Sequence, residues 1–115
     1  MSKVGMPYTS GNWIVREGNE ETFLETWRTL AEVSSASAGA RQFFLIRDSA
    51  DPRHFISFGR WDDFESVSAS RSRRSFLEAF RACQSLCEEF GGGDYEVVIA
   101  VPDEGSLAEA GGTTA

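Results

Sequence analysis

A short strand that leads directly into a helix is the feature that most constrains this sequence. The run from His54 to Trp61 contains Phe, Ile and Trp and no proline, which is typical of a strand on a pleated surface. Asp62 and Asp63 follow at once, and a carboxylate there can accept the backbone N–H groups of a helix start. The sequence therefore predicts that Trp61 lies at a junction between sheet and helix. An indole at such a junction either fills the core or lines a pocket.

Three further segments have the apolar, β-branched composition of strands and are bounded by turn residues. They are residues 12–16, 42–47 and 95–101. Asp51 and Pro52 predict a turn that joins the second of these segments to the His54 strand as an antiparallel hairpin. Residues 43–46 and 97–101 are apolar on both faces of their strands. This pattern predicts that a second layer, most simply a partner subunit, covers the sheet.

Two helical regions alternate with these strands. Asn19 is the predicted N-cap of the first helix, which should end by Gly39. In the second region, apolar residues recur from Phe64 to Phe90 with one weaker stretch, which predicts a short helix, a kink and a long helix that glycines 91–93 end. The order of elements predicts an α+β fold of the ferredoxin-like βαββαβ type. Such a fold has a four-stranded antiparallel sheet with two helices on one face.

Length and composition limit the partners that this chain can have. A chain of 115 residues suffices for one domain. Residues 8–102 carry the predicted elements, and the tail at 103–115 is too poor in apolar residues to order itself.

The net charge of -7 argues against nucleic-acid binding. No apolar run of about 18 residues predicts a membrane span, and residues 1–10 lack the apolar core of a signal peptide. We therefore expect a cytoplasmic protein that binds neither nucleic acid nor membrane.

The cysteines and the histidine predict no metal site. Cys83 and Cys87 are four residues apart in a predicted helix and point the same way, which suits buried small side chains better than a disulfide. His54 is the single histidine, and no second ligand pair has zinc-ligand spacing. We expect no bound metal.

Residues 8–101 resemble the antibiotic biosynthesis monooxygenase domain of the dimeric α+β barrel superfamily. The matching features are Glu17-Gly18 with Phe23 and Trp27, the hairpin from Arg47 to Phe55 with its Asp-Pro turn, and Arg60-Trp61 before an acidic helix start. The resemblance implies a homodimer with one pocket in each subunit between helices and sheet. Active members oxidise aromatic polyketides without a cofactor or degrade haem. The haem-degrading members carry a histidine in the second helix, and this chain has none between Asp62 and Phe90, so we expect no cofactor.

The resemblance also suggests catalytic residues. In active members a Trp at the position of Trp61 lines the site, and an Asn of the first strand, here Asn12, assists it. Oxygenation without a cofactor must remove a proton from a phenol-like substrate, and His54 and Arg60 are the candidates to take or stabilise that charge. Strand alternation directs both away from the side of Trp61, unless Gly59 forms a bulge. The aromatic candidates for substrate contact are Trp27, Phe44, Phe58, Phe76 and Phe80.

Two functions from different classes fit this sequence. The first is a cofactor-independent monooxygenase that acts on a small aromatic, polyketide- or quinol-like substrate positioned by Trp61. The alternative is a non-catalytic dimeric module that binds a small hydrophobic metabolite. Trp61 and the family resemblance favour the enzyme. The absent helix histidine, and a one-residue offset of Asn12 from the position expected in the family, favour the binding module.

Overall fold

Seven helices and strands follow one another in the computed structural model, which describes residues 4–102. They are β1 (Pro7–Val15), α1 (Glu20–Ser35), β2 (Ala40–Arg47), β3 (His54–Trp61), α2 (Phe64–Arg71), α3 (Arg74–Ser85) and β4 (Cys87–Glu96). The strands form one antiparallel sheet in the order β2-β3-β1-β4. This order confirms the predicted ferredoxin-like α+β fold, with the second helical region divided into α2 and α3. The predicted tail at 103–115 lies outside the described residues.

The helix starts follow from local hydrogen bonds. The side chain of Asp63 accepts a bond of 2.7 Å from the backbone N–H of Ser66 and so caps α2 directly after the strand that ends at Trp61. The bonds from Ser66 stabilise the carboxylate and lower the pKa of Asp63. At α1 the Asn19 side chain makes no cap bond, but its backbone carbonyl accepts from the N–H of Phe23 at 2.8 Å. None of the helices in the described range is both long and apolar enough to cross a membrane.

The last strand differs from the prediction. β4 begins at Cys87 and runs through glycines 91–93, where the sequence predicts the end of a helix. These glycines pair with residues 10–12 of β1, which is longer at its N-terminal end than the predicted strand 12–16. Pairing with β1 therefore outweighs the low strand propensity of glycine. Of the predicted strand 95–101, only residues 95 and 96 belong to β4, and residues 97–101 lie beyond it.

The core lies between the sheet and the helices that cover one of its faces. Trp13, Phe23 and Phe55 are each at most 2% exposed, and the Trp13 ring centroid lies 5.4 Å from that of Phe23 and 4.3 Å from that of Phe90. Burial of one large apolar side chain contributes about 1.5–3 kcal/mol. The opposite face of the sheet, which we call the open face, carries exposed apolar side chains. They include Phe44, Ile46 and Tyr95.

We expect both cysteines to resist alkylation in the folded protein. Cys83 and Cys87 are free and buried, and burial raises the pKa of Cys83 to about 12 and that of Cys87 to about 11. At mildly alkaline pH almost no thiolate is then available to attack iodoacetamide. Mass spectrometry should find an unmodified native protein and two labelled cysteines after unfolding in urea. Labelling of the native protein as fast as that of a free thiol would contradict the buried placement.

Candidate functional site

A cavity of about 480 Å³ lies between the helices and the sheet face that they cover. This volume falls in the range of roughly 300–1,000 Å³ that is usual for small-molecule sites. All four strands and all three helices of the described range contribute to its lining. The aromatic rings in its walls include Trp13, Trp27, Phe43, Trp61, Phe76 and Phe80.

Small residues on two neighbouring strands form the floor of the cavity. Thr9 lies opposite Gly59 in the register of β1 and β3, and Gly11 lies opposite Ser57. A Cβ atom at Gly59 would come within 2.6 Å of Thr9 Oγ1 and 2.8 Å of the Phe43 ring. A Cβ atom at Gly11 would come within 2.8 Å of Ser57 Oγ. Glycine at both positions therefore leaves room above the sheet for a ligand and for the rings around it.

The two tryptophans beside this floor donate hydrogen bonds to its hydroxyl groups. Trp61 Nε1 donates to Thr9 Oγ1 at 3.2 Å, and Trp13 Nε1 donates to Ser57 Oγ at 3.0 Å. The Phe43 ring packs edge-on against Trp61 with centroids 5.3 Å apart. Trp61 is only 4% exposed to bulk solvent, yet it lines the cavity. Its ring is thus packed by its neighbours and also borders the space that a ligand would occupy.

The other three predicted catalytic residues lie on the open face. The pairing of β1 with β3 is regular across Gly59, so this glycine forms no bulge between the two strands. Asn12, His54 and Arg60 therefore alternate with the residues of the cavity floor and point to the opposite side of the sheet from Trp61. None of the three lines the cavity.

Asn12 and His54 are nevertheless close to each other. His54 Nε2 lies 2.6 Å from Asn12 Oδ1, and His54 Nδ1 lies 2.9 Å from Asp48 Oδ2. The hydrogen bond from His54 lowers the pKa of Asp48. The three side chains form one hydrogen-bonded row at the hairpin end of the open face, away from the cavity.

The predicted aromatic contacts divide between the two faces of the sheet. Trp27, Phe76 and Phe80 line the cavity, and the rings of Phe76 and Phe80 stack with centroids 5.5 Å apart. Phe58 borders the cavity, but its ring stacks on Phe44 at 5.1 Å. Phe44 is 40% exposed on the open face and does not line the cavity.

A charged pair that the sequence did not predict borders the cavity. Arg71 Nη1 donates to Asp94 Oδ2 at 2.9 Å, and Nη2 donates to Oδ1 at 2.5 Å. The hydrogen bond from Arg71 lowers the pKa of Asp94. Within residues 4–102, these two are the only charged side chains in the lining, and they neutralise each other. The lining in this range therefore offers no strong general base.

We expect Asp94→Asn to lower the free energy of unfolding at neutral pH by less than about 1 kcal/mol, because exposed ion pairs are screened by solvent. Since the pKa of Asp94 is lowered by folding, this contribution is present above the pKa of the unfolded carboxyl group and is lost as the pH falls through the folded value. Urea unfolding of both proteins at neutral pH and at a pH below the folded pKa measures the difference. If the difference in free energy of unfolding between the two proteins grew on acidification, Asp94 would not be stabilised by the ion pair with Arg71.

Side chains with hydroxyl groups are among the other polar residues of the cavity lining. Thr9, Ser34, Ser57 and Ser70 line it together with the aromatic rings. In the part of the chain that the structure describes, no three His, Cys, Asp or Glu side chains are grouped as ligands for a metal ion. The arrangement can stack an aromatic ligand against rings and donate hydrogen bonds to its oxygens.

Comparison with known sequences identifies one family. The sequence profile described as antibiotic biosynthesis monooxygenase matches residues 11–104. This match spans most of the chain and includes β3, its terminal Trp61 and the start of α2. No curated protein sequence matches the chain significantly.

Solved structures share this fold at low sequence identity. SnoaB, a cofactor-independent oxygenase from Streptomyces nogalater, superposes with a TM-score of 0.80 at 15% identity, over 86% of this chain and 99% of SnoaB. A conserved protein from Methanosarcina mazei gives 0.76 at 14% identity, over 83% and 95% of the two chains. A protein from Shewanella oneidensis gives 0.75 at 18% identity, over 87% and 98%. At these identities the likeness establishes the fold.

Proposed function

Because this chain belongs to the antibiotic biosynthesis monooxygenase family, we propose that it is a cofactor-independent monooxygenase of a small aromatic, polyketide- or quinol-like substrate. The observation that carries the proposal is the aromatic cavity of about 480 Å³ with Trp61 in its wall. The fold that the chain shares with SnoaB, a cofactor-independent oxygenase, also supports it. A cytoplasmic location is part of the same proposal.

Oxidation of an anthrone-like ring balances without a cofactor. Conversion of a ring CH₂ group to C=O places one oxygen atom of O₂ in the product and releases the other as water with the two hydrogens. The substrate supplies all four electrons, after loss of a proton gives an electron-rich anion that can reduce O₂. The protein then has to stack the ring, stabilise the negative oxygen and exclude water.

The lining residues are suited to these tasks. We assign stacking contacts to Trp27, Trp61, Phe76 and Phe80, whose rings surround the cavity. The substrate would have to lie on the open face for its oxidation to involve Asn12, His54 or Arg60. The position of a bound ligand therefore separates the two sets of candidates.

A homodimer is the second part of the proposal. Phe44 and Ile46 on the open face are 40% and 46% exposed, and Tyr95 is 57% exposed. Open faces of two sheets packed together would remove these side chains from water. Light scattering should give about twice the subunit mass of 12.7 kDa. A monomer at micromolar concentration would contradict this part of the proposal.

Oxygen uptake tests the enzymatic activity directly. We expect protein-dependent uptake with at least one member of a panel of anthrone-like and quinol compounds, in buffer with chelator and no added cofactor. The rate should be proportional to protein concentration, and chromatography should show an oxidised product. Uptake equal to that of heat-denatured protein across the whole panel would contradict the proposal.

One observation favours the alternative of a non-catalytic binding module. Among the described lining residues, the charged side chains Arg71 and Asp94 already pair with each other, so a proton acceptor for the substrate is not evident. A module of this kind would bind the same aromatic compounds without consuming oxygen. Calorimetric titration of the panel under anaerobic conditions distinguishes it from the enzyme.

A further inference from the structure

A row of hydrogen bonds leads from an arginine outside the cavity to a hydroxyl group that lines it. Arg73 Nη1 donates to Ser37 Oγ at 2.6 Å, and Ser37 Oγ donates to Ser70 Oγ at 3.0 Å. Ser70 is 1% exposed and lines the cavity. The same three residues line a second depression between the end of α1 and α2, on the other side of Ser70. Ser70 therefore separates the cavity from this outer depression.

The donors in this row are all directed toward the cavity. A guanidinium group has no acceptor, so the bond between Arg73 and Ser37 has one direction. Ser37 accepts this bond and uses its own hydrogen toward Ser70. Ser70 accepts in turn and keeps its hydrogen to donate. A cation at the start of a part-buried row polarises each hydroxyl and makes the last one a stronger donor.

The hydroxyl group of Ser70 has a different kind of hydrogen-bond partner from that of the nearby Ser72. Exposed helix serines commonly bond a carbonyl of the preceding turn, as Ser72 does with the carbonyl of Ala69 at 2.9 Å. The hydroxyl of Ser70 is instead joined to Ser37 on another element. Because Ser70 lines an aromatic cavity, its hydroxyl hydrogen can donate to an acceptor atom of a ligand bound there.

We propose that Ser70 donates a hydrogen bond to an ionised phenol or enol oxygen of the aromatic ligand, with Ser37 and Arg73 as positioning residues. This inference rests on the proposed function in that it requires an aromatic ligand in the cavity, and it adds which side chain donates to the anionic oxygen of that ligand. The other charged groups nearby are Arg71 and Asp94, which pair with each other, and Glu65 in the outer depression. Arg73 is the cation that these hydrogen bonds connect to Ser70.

A nitronaphthol is a suitable probe, because its neutral and anionic forms absorb at different visible wavelengths. We expect the pKa of the bound probe to lie about one unit below that of the free probe, since a charge-assisted donor favours the anion. Ser70→Ala should remove most of this shift, whereas Ser70→Thr, which retains the hydroxyl group, should keep most of it. Ser72→Ala makes the same chemical change at an exposed position and should keep all of it.

The outcomes separate this inference from the proposed function. Ser37→Ala leaves Ser70 in place and should lose part of the shift, which provides a second test if Ser70→Ala does not fold. Two results would overturn the oxyanion site without contradicting the proposed function. One is a bound probe whose pKa in the wild type equals that of the free probe, and the other is an equal loss of the pKa shift in Ser70→Thr and Ser70→Ala. Failure of the wild-type protein to bind the probe would contradict both the site and the proposed aromatic cavity.

Discussion

Gly39→Ala is expected to lower the free energy of unfolding by about 2–4 kcal/mol, because it combines backbone strain with a steric clash. Gly39 has a φ of +84°, in the left-handed region that favours glycine. A Cβ atom there would lie 2.1 Å from Ser66 Oγ and 2.6 Å from Ser66 Cβ. The carbonyl of Gly39 also accepts from the backbone N–H of Asp62 at 2.8 Å, so displacement would shift the start of α2 and the adjoining wall of the cavity.

Gly18→Ala provides a matched control for this prediction. Gly18 has a φ of +92°, but a Cβ atom there would meet nothing within 4 Å. We expect a loss of about 1 kcal/mol from backbone strain alone. Urea unfolding of both variants gives the comparison. Equal losses would show that the contact between Gly39 and Ser66 does not constrain α2.

Trp61→Phe is expected to lower kcat/KM for oxygen uptake at least about tenfold and to lower the free energy of unfolding by about 1–2 kcal/mol. The substitution removes the indole N–H that donates to Thr9 and opens space beside Phe43, so the ring of a substrate would lose its fixed partner. Stopped-flow or electrode measurements of uptake, with urea unfolding on the same samples, give both quantities.

Two variants distinguish a role in ligand contact from one in stability. Phe64→Leu truncates an aromatic ring that is 46% exposed outside the cavity, and it should leave uptake unchanged. Thr9→Val removes the acceptor of Trp61 Nε1 at nearly constant volume and should give an intermediate loss. A clear drop in stability of Trp61→Phe with unaltered ligand binding and uptake would show that Trp61 serves only to fill the core.

Local sequence predicts the fold because each signal acts within a few residues. Asp63 caps α2 directly after Trp61, and strand alternation places His54 and Arg60 on the face opposite Trp61. The position of β4 could not be predicted in this way. Its glycines 91–93 form a strand because they pair with β1, about 80 residues earlier in the chain, and glycine has little strand propensity of its own.

The polar parts of the site were missed for a related reason. Arg71 and Asp94 are paired across 23 residues, and Asp94 belongs to the segment whose structure was predicted incorrectly. Ser37 and Ser70 are separated by 33 residues and lie in serine-rich stretches without apolar periodicity. Such pairs depend on how α1, α2 and β4 pack together. No local pattern in the sequence indicates them.

The central claim is that the ligand binds between the helices and the sheet, and a crystal structure with an anthrone-type compound tests it most directly. We predict electron density for the rings in the cavity, in contact with Trp61 and Trp27, and a ligand oxygen within hydrogen-bond distance of Ser70 Oγ. Density for the ligand on the open face, against Asn12 and His54, with the cavity empty, would contradict the claim.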